Sequence, residues 1–315
     1  MIFKKPDFWD LKKPNLISYF LLPLTFPIKL NNFLLSLKKK TKTKNVKTIC
    51  VGNIYLGGTG KTPTTIKLFE ILKKQKINVV TAKKITPSLI DEKIILEKKT
   101  ELFIGSNRKK IINEAILSKK KLVIFDDGLQ DKQVKYDIEF VCFDVQNWIG
   151  NGNLIPAGPL REKLNSLKKY DGVFLKNNDE KDISKIIEMI KINNPKIEIF
   201  LTKVKPLNLE KFNISDNFLV FSGIGNPSNF KQLLLKEKFR IVDEIIFPDH
   251  HTYSTKDINF IKEKAKNLNA KIITTEKDYT KISKIDPEGI NFLEIDLNIK
   301  DEEKLINFIQ NKIDD

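Results

Sequence analysis

The chain has 315 residues, with 56 Lys and Arg against 40 Asp and Glu for a formal net charge of +16. That length can bury a large core in more than one folding unit. The charge suits phosphorylated or anionic-membrane partners, but no recognisable nucleic-acid module accompanies it, so nucleic acid is not an expected partner. Cys50 and Cys142 each sit in an apolar run. They read as reduced core thiols, and neither has metal-ligand spacing.

In chain order, residues 1–40 come first. Met1–Lys13 mixes Phe, Trp and Lys, and Leu16–Ile28 is almost wholly apolar. Pro23 and Pro27 are expected to break any helix there, and the run is too short to span about 30 Å of hydrocarbon. It reads either as an interfacial amphipathic segment, with Trp9, Phe20 and Phe26 in the lipid boundary, or as a helix packed on the domain. The polybasic run Lys38–Lys44 favours an anionic leaflet.

Asn45–Val51 alternates and is β-branched, so it reads as a strand, and Thr64–Lys74 is apolar at helical spacing. Between them lies Gly57–Gly58–Thr59–Gly60–Lys61–Thr62. Strand, glycine loop, Gly-Lys-Thr and helix is the context of a phosphate-binding loop. Glycines let backbone N–H groups close around an anion, and the helix N-terminus adds partial positive charge. Lys61 can reach the β- and γ-phosphates of ATP, and the Thr62 hydroxyl can hold Mg²⁺. The general pattern wants Gly five residues before Gly60, where this chain has Tyr55.

Ile77–Thr81 reads as a second strand, Leu89–Leu96 as a helix, Lys99–Ile104 as a strand and Asn107–Leu117 as a helix. Leu122–Asp127 is a continuous apolar run ending in acid, the pattern of a buried parallel strand that delivers carboxylates to the sheet's C-terminal edge. Asp126 and Asp127 therefore take the Walker B role beside Mg²⁺. Ile138–Asp144 is the next strand. The long turn-rich stretch Gly150–Glu162 carries Arg161, which either clamps a phosphate or forms a salt bridge with Glu162 or another neighbour. Gly172–Leu175 and Ile197–Leu201 add strands, and Lys205–Asn217 is irregular and polar, a boundary. Phe218–Ser222 restarts a second, smaller α/β unit, which continues through a helix from Thr255, a strand at Ala270–Asp278 that ends in polar residues, and an amphipathic helix at Glu302–Ile313. His250 and His251 are adjacent, so at most one of them points into a cleft. The expected division is a segment at 1–40, a P-loop core at 41–205 and a C-terminal domain at 206–315.

Together these motifs resemble the tetraacyldisaccharide 4′-kinase family, the lipid A kinases. They are Val51–Pro63, Asp126–Gln130, Gly150–Glu162, Gly223–Pro227, Asp249–His250 and Thr275–Asp278, in the family's order. The resemblance also accounts for the late glycines, and an N-terminal membrane-associating segment is a family trait. It implies a P-loop NTPase-like, mostly parallel sheet flanked by helices. It implies ATP and Mg²⁺ as cofactors, and an acylated glucosamine disaccharide 1-phosphate accepting the γ-phosphate at its 4′-hydroxyl. A monomer on the cytoplasmic face of a bacterial inner membrane is expected. By resemblance Asp91 is the general base, His250 its partner, and Arg108, Gln130, Arg161 and Glu162 are further positions near substrate or phosphate. Two departures stand out. Asp91 lies in Ile90–Asp91–Glu92–Lys93 where the family has Gly-Asp-Glu-Pro, and Thr81–Ala82–Lys83–Lys84 replaces Ser-Arg-Gly-Tyr. Lys83 or Lys84 then stands in for the missing Arg as a point charge, without its bidentate fork. The rival reading is a membrane-associated P-loop switch ATPase acting through a protein partner, which shares the loop and the Walker B strand but needs no Asp91–His250 pair.

Overall fold

The structure, a computed structural model, describes residues 5–37, 41–43, 45–85, 90–131 and 133–314. In chain order the elements are α1 (Leu16–Leu21), α2 (Phe26–Leu37), β1 (Thr41–Lys42), β2 (Lys47–Gly52), α3 (Lys61–Lys74), β3 (Val79–Lys84), α4 (Ile90–Lys99), β4 (Leu102–Gly105) and α5 (Arg108–Leu117). Then come β5 (Leu122–Asp126), β6 (Val134–Lys135), β7 (Ile138–Asp144), β8 (Gly172–Lys176), α6 (Ser184–Asn193), β9 (Glu198–Pro206), β10 (Asn217–Ser222) and α7 (Pro227–Lys236). The chain finishes with β11 (Arg240–Ile246), α8 (Thr255–Asn267), β12 (Lys271–Thr275), α9 (Glu276–Ile282), β13 (Ile290–Leu293), β14 (Ile295–Ile299) and α10 (Glu302–Asp314).

The chain divides into two compact units. Among the described residues, the first holds those within 5–85, 99–204 and 297–314, and the second those within 90–98 and 205–296.

The first unit is built on an eight-stranded sheet in the order β14-β9-β8-β7-β2-β5-β3-β4. β2 pairs parallel with β5 and β7, and β3 with β4 and β5. Its central strands β2, β5 and β7 are buried almost throughout because both faces are covered. Cys50, Val123, Phe125, Val141 and Phe143 join one core with Ile111, Ile112 and Ala115 of α5. The alternate residues Ile49, Val51, Leu122, Ile124 and Phe140 join the other with Leu68, Ile71 and Leu72 of α3. This two-residue alternation fixes the register, since a slip of one would exchange the faces. Both cysteines are fully buried and unpaired. Burial raises the Cys50 thiol well above its ordinary range and pushes that of Cys142 up to about 12, so both are inert core residues.

The second unit has a four-stranded sheet, β11-β10-β12-β13, parallel throughout. α8 packs Ile258, Ile261 and Ala265 on one face and α7 packs Phe230 and Leu234 on the other.

Several expectations change. A contiguous division at residue 205 does not describe the chain. β14 returns to the larger sheet, and Leu305 and Ile309 of α10 complete the core of the first unit beside α3. In the other direction, residues 90–98, all of α4 but its last residue, cluster with the second unit. Pro23 and Pro27 do not abolish helix near the N-terminus. Pro27 lies in the first turn of α2, where a missing N–H costs nothing, and a short 3₁₀ stretch at Leu22–Thr25 absorbs Pro23. Trp9 does not face lipid: it is 1% exposed and its Nε1 donates to the Pro156 carbonyl at 2.9 Å. Phe20 and Phe26 are exposed, 84% and 65%, together with Leu16, Phe33 and Leu37. The polybasic run lies largely outside the described residues. Among the described residues no helix is long and apolar enough to cross a membrane.

Candidate active site

In the first unit β2 and β5 run parallel, with Val51 paired to Asp126, so the glycine loop and the first acid emerge at one edge of the sheet. Parallel α/β sheets bind ligands at this carboxyl edge. The loop is shaped from within. Buried Asn53 donates its Nδ2 to the Gly57 carbonyl at 3.2 Å and to Thr59 Oγ1 at 3.1 Å. Gly60 adopts φ +88°, a left-handed conformation that glycine reaches without strain, and α3 starts immediately after it. No side chain caps α3, so its first-turn N–H groups and partial positive charge serve an anion. Gly58 is exposed at the loop's tip. Tyr55, in place of the general pattern's glycine, is buried, bridges to Leu160 and hydrogen bonds Asp10.

Asp126 is buried at the end of β5. Its Oδ2 accepts from Thr62 Oγ1 at 3.0 Å and from Lys83 Nζ at 2.6 Å, and its Oδ1 lies 3.4 Å from Thr65 Oγ1. Asp127 follows at φ +60°, a rare conformation for a side-chain-bearing residue. It gathers Lys61 Nζ at 3.8 Å and Arg161 Nη1 at 3.5 Å. A hydroxyl with neighbouring carboxylates is a hard-oxygen donor set, which fits Mg²⁺ held by one or two carboxylates plus substrate phosphates.

Gln130 links this edge to the long turn-rich loop. Its Nε2 donates to the Asn53 carbonyl at 3.0 Å and to Glu162 Oε1 at 3.1 Å, and its Oε1 accepts from Arg161 at 3.3 Å. Glu162 is buried and takes the Tyr170 hydroxyl at 3.0 Å and Lys169 at 3.6 Å. Arg161 therefore pairs with Asp127 and not with its neighbour Glu162. Arg108 is 5% exposed; it bonds Asp131 and donates to the Asp127 carbonyl at 2.6 Å. Its guanidinium is thus engaged in holding the loop after β5.

In the second unit, Asp91 of α4 and His250 lie 159 positions apart, yet His250 Nδ1 is 3.2 and 3.3 Å from the Asp91 carboxylate oxygens. His250 has φ +58°, and its N–H is held by the Gly223 carbonyl at 3.2 Å and Asp249 Oδ1 at 3.0 Å. Lys281 and Lys277 close on Asp91 Oδ2 at 3.3 and 3.5 Å. Lys277 also meets Glu92 and Asp249, at 3.6 and 3.7 Å. Burial alone would raise the Asp91 carboxyl. The His250 hydrogen bond, then Lys277 and Lys281, outweigh it and hold the carboxyl well below the ordinary range. Burial would likewise lower Lys277, but Glu92, Asp249 and Asp91 raise it instead. The Asp91 side chain is 3% exposed and that of His250 27%. His251 turns elsewhere, stacking on Phe247 and meeting Asp257 at 3.3 Å.

Sequence reasoning did not single out Lys277 and Lys281 individually. They are four residues apart and share one face of α9, a helix that Thr275 caps by accepting from the Asp278 N–H. The capping Thr followed three residues on by Asp was the available signal for that helix. Nor was Asn53 singled out as the residue that shapes the loop.

The family model for tetraacyldisaccharide-1-P 4′-kinase, LpxK, matches residues 18–314. A tetraacyldisaccharide 4′-kinase of Pelagibacter ubique is 48% identical over 309 residues, covering 98% of this chain and 97% of its own length. One from Rickettsia bellii is 35% identical over 294 residues, covering 88% and 89%. Among solved structures, the chain is similar to LpxK from Aquifex aeolicus in complex with ATP, with a TM-score of 0.66 and 21% identity over 95% of this chain and 100% of that one. At that identity the likeness concerns the fold.

Proposed function

The chain belongs to the tetraacyldisaccharide 4′-kinase family, a kinase of lipid A biosynthesis, and from that premise we propose how its own residues carry the transfer. The γ-phosphoryl group of ATP passes to the 4′-hydroxyl of a tetraacylated glucosamine disaccharide 1-phosphate, leaving ADP and the 4′-phosphorylated lipid. The loop Gly57–Thr62 cradles the phosphates through main-chain N–H groups, and Lys61 leaves its 3.8 Å contact with Asp127 to meet the β- and γ-phosphates. Thr62, Asp126 and Asp127 are the residues that would hold Mg²⁺, which neutralises charge on the transferring group when bound. Arg161, held by Asp127 and Gln130, supplies a further positive charge, and Arg108 and Glu162 keep Asp127 and Gln130 in place.

The Asp91–His250 pair accepts the proton of the attacking 4′-hydroxyl. An acid held so far down is a weak base, and that suffices here. In a loose phosphoryl-transfer transition state there is little bond formation to the attacking oxygen, so the proton leaves late and a weak but well-placed base can take it. Lys277 and Lys281 keep the carboxylate ionised, and His250, more exposed than its partner, orients it. The exposed apolar residues of α1 and α2 rest in an anionic leaflet at the cytoplasmic face of the inner membrane, where the acyl-chain acceptor resides.

The observation that carries this reading is the meeting of Asp91 and His250 at 3.2 Å from distant parts of the chain. A switch ATPase has no need of it. The test is ATP consumption with and without the tetraacylated disaccharide 1-phosphate. Lipid-dependent transfer of labelled γ-phosphate is expected. Hydrolysis indifferent to lipid and stimulated by a protein partner would overturn it.

A further inference from the structure

Lys83 occupies a position that neither the phosphate loop nor the dyad explains. β3 runs beside β5 with Ala82 paired to Phe125, which sets Lys83 alongside Asp126. The Lys83 side chain is 4% exposed and that of Asp126 0%, whereas the adjacent Lys84 is exposed. The ammonium lies 2.6 Å from Asp126 Oδ2, the same oxygen that accepts from Thr62 at 3.0 Å. A divalent ion held between the Thr62 hydroxyl and Asp126 therefore needs the oxygen that Lys83 already engages. Like charges a few ångströms apart repel strongly in a partly buried site.

We propose that Lys83 and Mg²⁺ compete for Asp126 Oδ2, so that Lys83 sets how much free Mg²⁺ the phosphate site requires. This rests on the reading of Thr62 and Asp126 as the magnesium holders. Two consequences follow from the burial of the pair. A buried carboxylate without a cation is costly, so the Lys83 ion pair balances Asp126 and holds it in place before the metal arrives. Lysine suits this role because its ammonium is a compact point charge on a flexible stem that can withdraw, which a bidentate guanidinium fork does less readily.

The test is thermal unfolding of the full chain across a MgCl₂ titration at fixed ADP, since a ligand that binds the folded state raises its stability in proportion to ln(1 + [L]/Kd). Lys83→Met keeps the length and removes the charge. It is expected to melt below the parent protein in EDTA, and to reach half of its magnesium stabilisation at about a tenfold lower Mg²⁺ concentration, as removal of a nearby like charge requires. An unchanged or higher Mg²⁺ requirement would overturn the proposal, by showing that Lys83 is indifferent to the metal or assists it. Should Lys83→Met not fold, the double variant Lys83→Met/Asp126→Asn is expected to fold, having no unpaired charge; an unfolded double variant would also overturn it. Asp126→Asn alone separates the two levels. It should abolish the magnesium response, and a response like that of the parent would refute the metal-site reading itself, not merely the competition.

Discussion

Asp91 gathers one imidazole and two ammonium groups on a carboxylate that is almost fully buried. Its folded pKa is depressed, so the stability it contributes is fully present above the unfolded carboxyl value of about 4 and is lost as pH falls towards the folded value. Asp91→Asn should therefore destabilise the protein at pH 7 by about 2 kcal/mol, the scale of a lost charged hydrogen bond, and the deficit should shrink as pH drops below 4. Denaturant melts of both proteins at pH 7 and pH 3 check this; a deficit independent of pH would contradict the ion-pair account. The acid itself was identifiable only through its motif, since Ile90–Asp91–Glu92–Lys93 has no local pattern that distinguishes it from an ordinary helix start. Its lysine partners sit on a helix that reads, from sequence, as the polar end of a strand.

Among the elements, the strand–loop–helix at β2 and α3 was the most legible, because its chemistry is local. Gly60 must adopt positive φ, Lys61 and Thr62 must follow it, and apolar residues must recur at helical spacing. An alanine at Gly60 meets no atom closer than Lys176 Cδ at 3.9 Å, so its cost is backbone strain alone, about 1–2 kcal/mol. Gly60→Ala is expected to lower stability by that amount and to weaken ATP binding; a titration of ATP that matches the parent would show that the loop tolerates another conformation. β5 was equally legible, as an apolar run that ends in acid. β11 was not, because Arg240–Ile246 is a partly exposed edge strand with Asp243 and Glu244 in its middle. Nor could the sequence choose between Lys83 and Lys84. Neighbours on a strand face opposite ways, so pairing with β5 decided which one is buried.

At the scale of the whole molecule, the interleaving was hidden. Residues 90–98 and 297–314 belong to units that are remote from them in sequence, and only long-range packing, such as that of Leu305 and Ile309 on the core beside α3, assigns them. Part of the N-terminal segment packs on the domain, one of the two readings first weighed for it. Trp9 and Ser18 are buried, with Ser18 Oγ accepting from Asn151 at 2.9 Å, while Phe20 and Phe33 are exposed. Removing the whole segment would therefore disturb the fold as well as any membrane contact. Phe20→Ser and Phe33→Ser change exposed positions only. Each should weaken binding to anionic phospholipid vesicles by about 10- to 100-fold, from a burial worth about 1.5–3 kcal/mol per side chain, with melting temperature unchanged. Undiminished binding would leave that face without a role at the membrane.

The central proposal is that Asp91, partnered by His250, takes the proton of the lipid hydroxyl during phosphoryl transfer from ATP. The most direct measurement is single-turnover transfer of labelled γ-phosphate to tetraacyldisaccharide 1-phosphate by the parent protein and by Asp91→Asn, with ATP affinity measured on the same preparations. The expected result is a fall in transfer rate of about 10²–10⁴-fold with ATP affinity retained. An undiminished transfer rate in Asp91→Asn would contradict the account.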